Sequence, residues 1–83
     1  MAELQIGVVT HFYNKIGVAI IKMSAPLKIG ETIKISGHDQ EFTQVVGSMQ
    51  VEHQEIKEAK KGDEVGLKVD KPVKEKDLVY KVE

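Results

Sequence analysis

His11, His38 and His53, together with Asp39, form the one imidazole-centred set in the 83-residue sequence that could hold a metal ion. None of them has the short spacing by which a zinc site draws ligands from one turn or helix, so no metal is expected. Nucleophilic chemistry finds equally little support. Ser24, Ser36 and Ser48 lack the G-x-S-x-G elbow that would expose and activate a hydroxyl, and there is no cysteine. Paired carboxylates such as Glu52 and Glu55 read as a solvated face rather than an acid–base pair. No glycine is followed by lysine, which excludes a phosphate-cradling P-loop. "NKIG" at 14–17 begins like a guanine-reading motif but ends in Gly17, where a carboxylate would be required. The sequence therefore predicts no catalytic residue, no cofactor and no nucleotide.

Binding chemistry is better represented. Lys57, Lys60 and Lys61 precede a tight turn and could meet phosphates, yet Glu52, Glu55 and Glu58 are interleaved with them and cancel much of the local field. The net charge is −1, and all twelve basic residues are lysines. Without arginine the chain lacks the rigid bidentate fork that reads guanine edges, so sequence-specific duplex recognition is not expected. An apolar alternative lies at 16–23. Ile16, Val18 and Ile20 form one face of that segment, and Ala19, Ile21 and Met23 the other. The second apolar face either packs in the core or, through Ile20 and Ile21, docks a partner.

The elements that must carry these residues are strands. Apolar residues recur with period two through Leu4, Ile6 and Val8, Ile33 and Ile35, Val45, Met49 and Val51, Val65 and Leu67, and Leu78, Tyr80 and Val82. Turn residues separate them at Asn14–Gly17, at Pro26 and in "SGHDQ". Only "EHQEIKEAKKG" departs from the pattern, and it reads as an irregular connection with at most one helical turn. Six or seven short strands predict an all-β domain over 1–83, closed into a small antiparallel barrel that leaves no exposed edge. The longest apolar run, "IGVAII", is too short to cross a membrane. "MAELQIGVV" lacks the pattern of a secretory leader, and cysteine is absent, so a cytoplasmic location is expected.

An internal echo runs through this pattern. "LKIGETIKI" at 27–35, "KKGDEVGLKV" at 60–69 and "VKEKDLVYKV" at 73–82 each place lysine, a tight turn and an acidic residue before an alternating strand. Glycine permits positive φ at two of the corners, and the acidic side chain can accept from a nearby backbone N–H. Gly30 with Glu31, and Gly62 with Asp63, are thereby assigned to architecture.

These corners carry a resemblance. "LKIGETIKISG" followed by "VGSMQVEHQEIKEAKKGDEVGLKV" resembles the second, β-barrel domain of translational GTPases such as elongation factor Tu. Ala59, Gly62, Asp63, Val65, Gly66 and Leu67 match that family's second corner, and Glu31 stands at the first corner where aspartate is usual. "IGVVTHFYNKIGVAIIKM" and "KPVKEKDLVYKV" are similar to free-standing translation elongation factor-like proteins and to the C-terminal barrel of collagenase-like peptidases, some relatives of which modify RNA. The resemblance implies a translation-protein barrel without its catalytic domain. It places Gln50 and His53 where the GTPase barrel touches the end of tRNA, although the aromatic and arginine of that tract are replaced here by Glu52 and His53. Two functions follow as expectations. One is a non-catalytic module binding an RNA end or a ribonucleoprotein through Gln50, His53, Lys57, Lys60 and Lys61. The other is a protein-interaction barrel docking through Ile20 and Ile21 onto a separately encoded enzyme, such as an RNA-modifying relative of the collagenase-like peptidases.

Overall fold

Alternation of apolar and polar residues produces ten strands in a computed structural model of the chain, which describes residues 3–37, 40–52 and 54–82. They are β1 (Glu3–Tyr13), β2 (Val18–Met23), β3 (Leu27–Lys28), β4 (Thr32–Ser36), β5 (Glu41–Val45), β6 (Met49–Val51), β7 (Gln54–Ile56), β8 (Glu58–Ala59), β9 (Glu64–Lys68) and β10 (Leu78–Val82). Eight form one antiparallel sheet in the order β5-β4-β10-β1-β2-β9-β6-β7, and β3 pairs separately with β8. The first and last strands lie side by side, with Glu3 opposite Val82.

The expected closed barrel of six or seven strands is corrected in two ways. The segment read as an irregular connection supplies β7 and β8, because β6 turns back within two residues and Val51 pairs with Gln54. The sheet is also open, since among the described residues no ladder joins its outer strand β5 to the opposite end. Side chains span the seam instead. Buried Gln44 donates through Nε2 to the Lys68 carbonyl at 2.8 Å and accepts at Oε1 from the Asp70 N–H at 2.8 Å. Gln40 donates to the Pro72 carbonyl, and the Lys71 ammonium lies 5.9 Å from the Phe42 ring centre. Gln40, Phe42 and Gln44, in and just before β5, thus fasten the stretch that follows β9, although no main-chain ladder forms there.

One apolar cluster fills the interior, with Ile6, Val9, Ile21, Ile33, Ile35, Met49, Leu67 and Val79 among its fully enclosed members. Period two alone misplaces several residues. Register shifts between Gln5 and Gly7 and between Val9 and His11 change the phase of β1, so Ile6 and Val9 point inward and Leu4 is exposed. After β5 the inward set is Phe42, Gln44 and Val46, which leaves Val45 outside. On β10 it is Val79 that enters the core, between the half-buried Leu78 and Tyr80. Ile33 and Ile35 are buried as their spacing predicts.

The three echoed corners share one hydrogen-bond pattern. The backbone N–H groups of Lys28, Lys60 and Lys74 donate to Glu31 Oε1, Asp63 Oδ2 and Asp77 Oδ2, at 2.7, 3.0 and 2.9 Å. In return the N–H of each acidic residue donates to the carbonyl of its lysine. The third residue of each corner has positive φ: Gly30 at 93°, Gly62 at 92° and Lys76 at 74°. Two corners therefore use glycine where the backbone requires it, and the third holds a lysine in a region that L residues disfavour.

Glu31 also explains its departure from aspartate. Its longer side chain reaches the Lys28 N–H with one oxygen and the Lys81 ammonium of β10 with the other. The Lys81 hydrogen bond holds the Glu31 carboxyl below its ordinary value of 4.5; burial opposes this, and the Lys28 N–H and the charges of Lys81 and Lys28 reinforce it.

Two stability measurements follow. Gln44→Leu keeps the volume but strands the Lys68 carbonyl and the Asp70 N–H, and should cost about 1–3 kcal/mol in urea unfolding at pH 7. Glu31→Gln keeps an acceptor for Lys28 but removes the charge. Because the folded-state pKa of Glu31 is depressed, its contribution is present above the ordinary carboxylate pKa and is lost as pH falls through the lower folded value. The variant should be less stable than wild type by about 1 kcal/mol or less at pH 7, and the gap should close in unfolding curves taken at successively lower pH below about 4.5.

Candidate functional site

Strand β2 is apolar on both faces, and the two faces have different fates. Ala19, Ile21 and Met23 are enclosed in the core. Val18 and Ile20 point outward and are only half covered, while Ile16, in the turn before them, is 63% exposed. The docking pair expected from the sequence is therefore divided: Ile20 faces out, and Ile21, which is fully buried, cannot meet a partner. The alternating pleat requires this, since adjacent residues of a strand point to opposite faces.

Strand pairing brings further residues to Ile20. His11 of β1 and Gly66 of β9 flank it, and Gln50 of β6 lies opposite Gly66 on the far side. His11 meets Tyr13 edge-on, with ring centres 4.4 Å apart. Tyr13, 48% exposed, pairs with Val18 in register and walls one side of a groove of about 480 Å3. Val18, Ile20 and Gly66 make its apolar base, while Gln50, Glu52 and Glu64 form the polar rim. Such a hollow can receive a few side chains of a partner.

Gly66 acquires a role here that its place in the corner tract did not suggest. Its φ is not positive, so no turn demands glycine. A Cβ at this position would stand 3.3 Å from Val18 Cγ1 and 3.6 Å from Ile20 Cδ1, in the space that gives the groove its depth. The signal available in the sequence was glycine at an outward position between Val65 and Leu67, both of which are buried. Glu52 is the second residue that the sequence reading left without a role. It occupies the tight β6–β7 turn with φ of 51°, a conformation that asparagine or glycine usually supplies. Backbone strain of this kind collects at functional positions.

The remaining candidates are distributed over several elements. Gln50 is exposed in the groove, whereas Lys57 borders a separate hollow with Ile29, Gly47 and Ile56. Lys60 and Lys61 open the second corner, where the Gly62 N–H donates to the Met23 carbonyl. His38, Asp39 and His53 lie outside the described residues, so the expected pairing of Gln50 with His53 has no structural counterpart to report. Gly30, Glu31, Gly62 and Asp63 all serve the corners. Among the described residues no three histidine or acidic side chains converge as a metal-binding group, and no helix is long and apolar enough to cross a membrane.

Comparison with known proteins places this geometry in a setting. The C-terminal domain of a protein from Geobacillus thermoleovorans assigned to the U32 peptidases has the same fold, with a TM-score of 0.91 over 96% of this chain and 93% of that one. Sequence identity is 22%, and the selenomethionine form of that domain superposes with a TM-score of 0.87 over 90% of this chain and 95% of that one. A protein of Methanocaldococcus jannaschii named as an uncharacterized protease is 44% identical over 79 residues, which cover 94% of this chain. The chain spans 19% of that relative's length. No family model matches. These matches carry the peptidase-domain side of the resemblance and not its elongation-factor side.

The division of β2 has a direct thermodynamic signature. Ile21→Ala should cost about 2–5 kcal/mol, as truncation of an enclosed core side chain does. Ile20→Thr should cost less than about 1 kcal/mol, because the side chain is half solvated. Urea unfolding of the two variants, run side by side, reads the difference.

Proposed function

We propose that this chain is a non-catalytic docking barrel, which binds the peptidase portion of a U32-type enzyme through the outer groove of β2, β9 and β6. The observation that carries the reading is the outer face of β2: Val18 and Ile20 are only half-buried, with exposed Ile16 and Tyr13 beside them, although the core already has its own face of the same strand. A small domain gains stability from each apolar side chain it encloses, so an apolar surface kept outside is one available to a partner. The likeness to a U32 peptidase C-terminal domain, and to a fifth of a protein named as a protease, supports the choice of partner. A role without catalysis is supported by the employment of Glu31, Asp63 and Asp77 in backbone corners.

The RNA reading draws less support. None of its lysines borders the groove, and Gln50, its other described candidate, sits beside Glu52 and Glu64, which would repel phosphate.

Titration calorimetry of this chain against the part of the M. jannaschii relative outside the matched span tests the proposal. Saturable binding is expected, weakened at least tenfold by Ile20→Lys and retained in Lys60→Glu/Lys61→Glu, with circular dichroism confirming that each variant is folded. Absence of binding by the wild-type chain would overturn it. So would salt-sensitive binding of a CCA-ended RNA hairpin that the lysine variant loses and the Ile20 variant keeps.

A further inference from the structure

The groove that docks the partner is not electrically uniform. Along the outer face of β9, Glu64, Gly66 and Lys68 succeed one another, opposite Lys22, Ile20 and Val18 of β2. Antiparallel pairing of β6 sets Gln50 against Gly66, and continuing that register carries Glu52 toward Glu64. Both carboxylates border the groove at this end. Lys22 lies across from Glu64 on β2, yet among the described residues neither Glu52 nor Glu64 forms an ion pair. Two carboxylates thus border one apolar base, one of them on a turn whose backbone is held in the left-handed region.

Resting on the docking reading, we propose that the occupant is an extended protein segment in which an aliphatic side chain adjoins a lysine or arginine. The aliphatic group lies over Gly66, against Ile20 and Val18, where the missing Cβ leaves room. The neighbouring cation sits at the end of the groove that Glu52 and Glu64 border. Charge complementarity selects this partner: an acidic segment or a phosphate backbone would add a third negative charge to the same end, and an apolar segment without a base would leave the carboxylates unanswered. Gly66 then acts as a specificity determinant, since any side chain there competes with the occupant for the same space.

The test is an amide-resolved NMR titration with three capped heptapeptides, Gly-Ser-Arg-Leu-Arg-Ser-Gly and its Glu-Leu-Glu and Arg-Ser-Arg counterparts, at 150 mM salt. The first should shift Val18, Ile20, Gln50 and Gly66 saturably, with the other two at least fivefold weaker. Glu64→Gln, an exposed change that leaves the core intact, should weaken the first peptide at least threefold. Equal binding of the Glu-Leu-Glu peptide, or no binding by any of the three, overturns the inference. Failure of the docking reading shows separately, as absent heat in the calorimetry with the peptidase portion, where peptide chemistry plays no part.

Discussion

The side-chain amide of Gln44 bears the main constraint of this fold. An eight-stranded sheet that wraps one small core must bring its outer strand back toward its middle, and here main-chain pairing does not complete the circuit. One buried amide supplies both a donor to Lys68 and an acceptor for Asp70, so the polar groups at the seam are satisfied without another ladder. Enclosure of Val69 and Val73 depends on that contact, because it holds the stretch between β9 and β10 against the core. A carboxylate at position 44 could accept from Asp70 but could not donate to Lys68, and an aliphatic residue could do neither.

The corners set the directions in which the strands leave. At each one, a carboxylate accepts from the N–H three residues earlier, and the residue just before the acid adopts positive φ. Two of the three were legible in the sequence, because Gly30 and Gly62 announce the backbone they need. The third was visible as an echo only, since Lys76 has no glycine to mark its conformation. Glu31 looked like a departure from the usual aspartate until Lys81 appeared beside it. Contacts of that kind depend on register between distant strands, which local patterning does not contain.

Patterning likewise identified the two apolar faces of β2 but could not say which face the core would take. Ile20 and Ile21 are alike in composition, and only the strands that pair with β2 separate them. β1 misled for a definite reason: each bulge advances the phase by one residue, so Leu4 and Ile6, in phase by simple alternation, differ in burial. The resemblance, not local patterning, joins Gln50 to Lys57, Lys60 and Lys61. The β6–β7 turn and the short β3–β8 pair divide that tract, so that Gln50 lines the groove while Lys57 borders a different hollow. Gly66 was noted for its corner tract, while its use is in the depth of the groove.

The pairing of Glu3 with Val82 sets how the domain answers force. Because β1 and β10 run antiparallel, the start of one and the end of the other lie at the same end of their shared ladder. A load pulling these two points apart therefore peels the ladder from that end, one rung at a time, instead of shearing all its rungs together. Seen as a mechanical joint, the domain yields at low tension along this line. Pressure against the groove, by contrast, falls on β2, β9 and β6, which are held by neighbours on both sides.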